Sequence, residues 1–177
     1  FVVDGGKARG QPVSMPEAVT SLRNNSGREA LAALPGGQLV AIAEEGPQDE
    51  NQDSPGWVVD PATGKAVSFT MKRVLPYSLT DATVLPDGRL LVLERRFAPT
   101  TGPGAQLRAY DPATFTEGAT VDGELIAVLF AGVTVDNMEG LAARQTDDGK
   151  TLIYVVSDDN FQRPLQRSLI MMFELAE

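Results

Sequence analysis

The chain has 177 residues, 42% of them apolar, with a net charge of −9 and neither histidine nor cysteine. That composition suits a globular domain with a sizeable core and no membrane span, since no apolar run approaches about twenty residues. It excludes disulfides, thiolate sites, His-ligated zinc and His-dependent triads within this chain, and its acidity disfavours nucleic acid and anionic lipid.

Phe1–Lys7 reads as a strand, an acidic turn and a lysine, and it matches Trp57–Lys65. The chain is therefore expected to begin in the third strand of a repeat. Ser14 is placed to cap, and Pro16 suits a first helical turn, so one short helix is predicted near Pro16–Leu22. A first repeat follows over 29–74, with strands Ala30–Leu34, Leu39–Ala43, Trp57–Asp60 and Val67–Arg73. A second covers 81–133, with strands Ala82–Leu85, Leu90–Glu94, Leu107–Tyr110 and Ile126–Phe130. Pro99–Ala105 is expected as a flexible loop between its second and third strands. A third spans 139–175. Its opening hairpin turns at Asp147-Asp148-Gly149, continues through Leu152–Val156, and is followed by a strand at Leu169–Leu175. Trp57, Tyr77, Tyr110, Tyr154, Phe173 and the pair Met171-Met172 read as packing residues.

Pro35-Gly36-Gly37 recurs as Pro86-Asp87-Gly88, and Val58–Thr63 recurs as Ala109–Thr114, both 51 residues on. Several short strands per period of about fifty indicate a β-propeller. The expected fold is all-β, built from four-stranded antiparallel blades. This chain would hold an incomplete propeller of about three to four blades, with 1–177 forming one portion of a single domain. A ring closes only with about four to eight blades. Completion is therefore expected from a missing N-terminal part of the same precursor or from a second copy.

Acids recur at the outer ends of first and second strands: Glu29, Glu44, Glu45, Asp81, Glu94, Glu139, Asp158 and Asp159. In a propeller such positions converge on one mouth of the channel. A hairpin also brings its open ends together, which sets Glu139 near Asp158, Asp159 and Asn160. Hard oxygen ligands in that arrangement suit calcium, so Glu29, Glu45, Asp81, Glu139, Asp158, Asp159 and Asn160 are candidate ligands. Arg95, Arg96 and Arg167 are placed to hold phosphate oxygens, because guanidinium matches them in a bidentate manner. The same acids also have a structural use, bonding to backbone N–H groups or to those arginines. Glu94 with Arg95 and Arg96 reads as an internal ion pair.

Asn25-x-Gly27-x-Glu29-Ala30-Leu31, Leu85-Pro86-Asp87-Gly88-Arg89-Leu90, Asn137-Met138-Glu139-Gly140-Leu141-Ala142 and Ser157-Asp158-Asp159-Asn160-Phe161, with Gln166-Arg167 and Phe173-Glu174-Leu175, resemble the bacterial family described as esterase-like activity of phytase. The chain resembles the later part of that family's domain. The resemblance implies a phytase-like propeller in which acid-bound calcium serves phosphate-ester cleavage, in a periplasmic or secreted protein. It implies catalytic roles for Glu139, Asp159, Arg95 and Arg167, and a small phosphorylated substrate. Two other functions fit the same residues. One is a non-catalytic propeller that binds a ligand or protein around structural calcium. The other is a metal-dependent lactonase.

Overall fold

The computed structural model describes residues 2–4, 7–9, 17, 28–44, 53–129, 134–162 and 165–176. The helix expected at Pro16–Leu22 lies outside them apart from Glu17, and so does Glu45. No helix among the described residues is long and apolar enough to cross a membrane.

β1 (Val2–Asp4) and β2 (Lys7–Arg9) form a small antiparallel hairpin. The first blade is the antiparallel meander β3 (Arg28–Ala33), β4 (Leu39–Ala43), β5 (Ser54–Val59) and β6 (Ala66–Met71). The second runs β7 (Ser78–Val84), β8 (Leu90–Ala98), β9 (Gly102–Tyr110) and, after β10 (Thr120–Val121), β11 (Glu124–Leu129). The third is β12 (Met138–Gln145), β13 (Thr151–Ser157) and β14 (Ile170–Leu175). The 51-residue repeat is thus one blade per period. Its Pro-x-Gly signature forms the turn between first and second strands, where Gly37 and Gly88 hold φ of 87° and 90°. Only glycine adopts that backbone without steric cost.

Two details depart from the expected plan. Pro99–Ala105 is mostly strand, because β8 and β9 continue pairing as far as Ala98 with Gly102. The chain between β9 and β11 also contributes β10, which pairs in parallel with β6 of the preceding blade. Thr70 N donates to Ala119 O at 2.8 Å, and Lys72 N to Val121 O at 2.9 Å. The Glu117 carboxylate continues the seam by accepting from Ser68 N and Oγ at 2.9 and 2.7 Å.

β7 packs between β3 and β12, so the first strands of three successive blades stand side by side. Strand alternation gives each blade two faces. Ile42, Phe69, Leu90, Tyr110 and Phe115 bury themselves between the first and second blades. Phe69 stacks on Phe115 with centroids 4.4 Å apart. Leu91, Leu93, Leu107, Met138, Ile153 and Val155 fill the space between the second and third. On the far face of the third blade, Val156, Ile170 and Met172 are exposed. Met171 packs on the core and Met172 does not. Neighbouring residues on a strand point to opposite faces, so the pair cannot both be core.

A buried polar network also joins the first two blades. Gln106 Nε2 donates to Glu94, and Arg108 Nη2 donates to Asp122 and, at 2.6 Å, to Gly123 O. Lys72 reaches Asp122 from the first blade at 3.2 Å. Burial pushes the Glu94 pKa up, while Gln106, Arg108 and Arg73 pull it down. The expected Glu94 pairing with Arg95 and Arg96 is not formed. Arg95 leaves on the opposite face, and Arg96 lies over the Tyr77 ring.

Each first strand carries a bulge near its start. The ladder skips Glu29 in β3, Thr80 in β7 and Glu139 in β12. The second and third blades are stitched at this level. Asp81 Oδ2 accepts from Leu141 N at 2.7 Å while its Oδ1 accepts from Ala82 N at 2.8 Å. Thr80 Oγ1 donates to Met138 O at 3.1 Å. Asp81→Ala would leave the Leu141 N–H unpaired in this seam. It should destabilise the protein by about 1–3 kcal/mol in urea unfolding, whereas Asp148→Asn in the exposed hairpin turn should change stability by no more than about 0.5 kcal/mol.

Candidate functional site

The site grows from the bulge in β12. An extra residue turns its side chain out of the regular alternation, and that residue is Glu139. Asn137 lies two positions earlier and donates Nδ2 to Glu139 Oε1 at 2.6 Å. Arg95, in β8 of the second blade, brings Nε to 3.2 Å from the same oxygen. The approach is not aligned for a hydrogen bond, so this buried Nε has no acceptor among the described residues. An ion pair of half-buried groups therefore bridges two blades and leaves one donor unspent. Burial raises the Glu139 pKa. Arg95 and Asn137 oppose that shift, and the nearby charges of Glu29 and Asp158 add to it.

The loop after β13 closes one side. Asp158 N donates to Asn137 O at 3.0 Å, and Asp158 Oδ1 accepts from Asn160 N at 3.0 Å. Asp159 Oδ1 accepts from Phe161 N, and its Oδ2 from Ser168 Oγ, both at 3.0 Å. These bonds hold Asn160 and Phe161 at φ of 45° and 59°, the left-handed region that non-glycine residues seldom occupy. Asn160 Nδ2 reaches Gln166 Oε1 at 3.2 Å. Asp136 Oδ2 accepts from the backbone N of Arg167 at 2.9 Å, so Arg167 joins through its main chain.

The predicted residues thus separate into two groups. Glu139, Arg95, Glu29 and Asp158 share one electrostatic neighbourhood. Asp81 spends both carboxylate oxygens on backbone N–H groups, and Asp159 spends one on a backbone N–H and one on the Ser168 hydroxyl. Asn160 and Arg167 belong to the bracing loop. Two contributors were not among the sequence candidates, Asp136 and Asn137.

Beside the Arg95–Glu139 pair lies a cleft of about 280 Å³ between the β8–β9 hairpin and the loop after β13. Arg95, Arg96, Asp136, Asn137, Asn160 and Gln166 supply its polar lining. Arg96 is held in place by Tyr77 Oη at 3.3 Å and Thr101 Oγ1 at 2.9 Å. Its guanidinium lies so close over Gly104 that a Cβ there would meet Nε at 3.1 Å.

Calcium takes about six to eight oxygen ligands. Among the described residues, no group of three or more acidic side chains is arranged to hold a metal ion. With Asp81 and Asp159 engaged in bonds within the fold and Arg95 standing beside Glu139, the described residues do not by themselves fit calcium.

A family model described as phytase-like, esterase-like activity of phytase, matches residues 2–161. No curated protein and no solved structure matches the chain.

The raised Glu139 pKa carries a signed consequence. The fold favours the neutral carboxyl, so its contribution is complete below the ordinary glutamate range and is lost as pH rises through the raised folded value. Glu139→Gln should therefore lose less stability than the parent over that interval. Urea midpoints measured in steps from about pH 4 to about pH 8 check this, and parallel profiles would show that Glu139 is not the group responsible.

Proposed function

The chain belongs to the phytase-like family described as esterase-like activity of phytase, and from that membership we propose that it hydrolyses a phosphate ester at the Arg95–Glu139 pair. The observation that carries the reading is the pair itself: a guanidinium 3.2 Å from a carboxylate of raised pKa, beside a cleft that Arg95 and Asn137 line. Arg95 binds the phosphate oxygens and takes up charge that builds there during transfer. Glu139 accepts a proton from water as the water oxygen bonds to phosphorus; the ester P–O bond breaks and the leaving oxygen is protonated from solvent, and a raised pKa improves a carboxylate as a base. Asn137 holds Glu139 in orientation. Asp159 and Asp158 keep the wall of the cleft in shape.

No step here runs through calcium. Calcium dependence and export to the periplasm or medium are proposals that rest on the family resemblance alone. A second reading, ligand binding without turnover, draws on the engagement of Asp81 and Asp159 in bonds within the fold.

Assay of a generic phosphomonoester and a phosphodiester, with EDTA and with added calcium, separates these readings. The hydrolase reading expects turnover that falls by about 10²–10⁴ in Glu139→Gln and by about 10²–10³ in Arg95→Ala. Loss of turnover in EDTA, restored by calcium, would place further ligands outside the described residues. No turnover of either ester under any condition removes the hydrolase reading, and a lactone panel in the same buffers tests the lactonase alternative.

A further inference from the structure

The first two blades show how a groove between blades is filled. The filling is the stretch 111–121. Asp111 caps a turn at Pro112–Thr114 by accepting from Ala113 N at 2.9 Å. Phe115 then buries its ring on Phe69 of β6, and Thr120–Val121 pairs in parallel with Thr70–Met71. Gly118 N donates to Ser68 O at 2.8 Å on the same edge.

The same groove recurs one blade on. β11 stands where β6 stands, rung for rung. Gly56 faces Phe69 and Pro55 faces Thr70; 51 residues later, Leu107 faces Ala127 and Gln106 faces Val128. Large and small have changed places across the rung. The Phe69 ring covers Gly56 so closely that a Cβ there would meet it, while in the second blade Leu107 carries the bulk and Ala127 is small. Val128 N takes the outward place from which Thr70 N donates to Ala119 O. β11 is the outer strand of its sheet, so among the described residues no strand pairs with that edge. Leu125 and Val128 are exposed along it. Between β11 and β14 runs a groove of about 440 Å³, with Leu107, Ala127, Leu129, Ile153 and Phe173 as its apolar walls.

The stretch 111–121 is already spent on β6. The stretches 10–16, 18–27 and 45–52, outside the described residues, contain no aromatic residue. We propose that the groove docks an extended segment of a partner polypeptide, which pairs in parallel with Val128–Leu129 and sets an aromatic side chain over Leu107 and Ala127. Main-chain bonds to the β11 edge supply affinity, and the aromatic pocket supplies selectivity.

A labelled synthetic peptide with the sequence of residues 111–122 tests this by fluorescence anisotropy on the full chain, with hydrogen exchange read along the backbone. Saturable binding with a Kd below about 1 mM is expected, with exchange slowed at 124–129 and not at 66–71. The peptide carrying Phe115→Ala should bind at least about tenfold more weakly, since burial of one aromatic side chain is lost. Val128→Pro in the protein removes an N–H that the ladder to β9 leaves unused, and should abolish binding. No saturable binding, equal affinity of the two peptides, protection at 66–71 in place of 124–129, or binding that survives Val128→Pro would each overturn the inference. Protection of 124–129 in the chain alone, growing with its concentration, would place a second copy on this edge and overturn the partner reading.

Discussion

The carboxylate of Asp81 sets the third blade against the second. Its two oxygens take one N–H from its own strand and one from β12. With that bond in place, the Thr80 hydroxyl meets Met138 O, and the bulge at Glu139 lies opposite Arg95. Burial raises the Asp81 pKa against the pull of these two N–H bonds. The group is therefore held in a seam it would not choose for solvation alone. The site's geometry thus depends on a residue that does not line its cleft.

The blade plan was legible because it is written in turns and alternation. Pro-x-Gly at a fixed spacing marks where two strands meet, and the branched and aromatic run at Leu152–Val156 marks a strand wherever it sits. Register was less accessible. Glu29 and Asp81 look equivalent as acids near strand starts, but the bulge at Thr80 makes Thr80 the partner of Glu29. A shift of one residue reverses which face a side chain takes, and Asp81 consequently reaches the neighbouring strand. The same rule separates Arg95 from Glu94 and Met172 from Met171. Pro99–Ala105 misled for another reason: its composition is that of a loop, while the pairing of β8 with β9 is set by the strands on either side.

An acidic protein gathers anions poorly unless it concentrates its few cations. Here two neighbouring arginines leave opposite faces of β8 and are held by different means. Arg96 is fixed by Tyr77, Thr101 and the open surface of Gly104. Arg95 is drawn in by Glu139 but not satisfied by it. Prearranged donors lose little freedom when an oxyanion arrives. The strained left-handed pair Asn160-Phe161 follows similar logic, since the Asp158 and Asp159 bonds hold a loop shape that free chain would abandon.

The parallel strand β10 has a consequence for how the chain is made. Its partner β6 lies about 50 residues earlier, as the Lys72–Asp122 contact across the same seam records. At about 5–20 residues per second of synthesis, several seconds separate the two. Throughout that interval β6 is a bare sheet edge, with backbone groups free to pair with any passing strand. The first blade cannot finish until most of the second has left the ribosome. The two are therefore joined in time as well as in space, and slow translation between Met71 and Thr120 would lengthen the period of greatest exposure to misassembly.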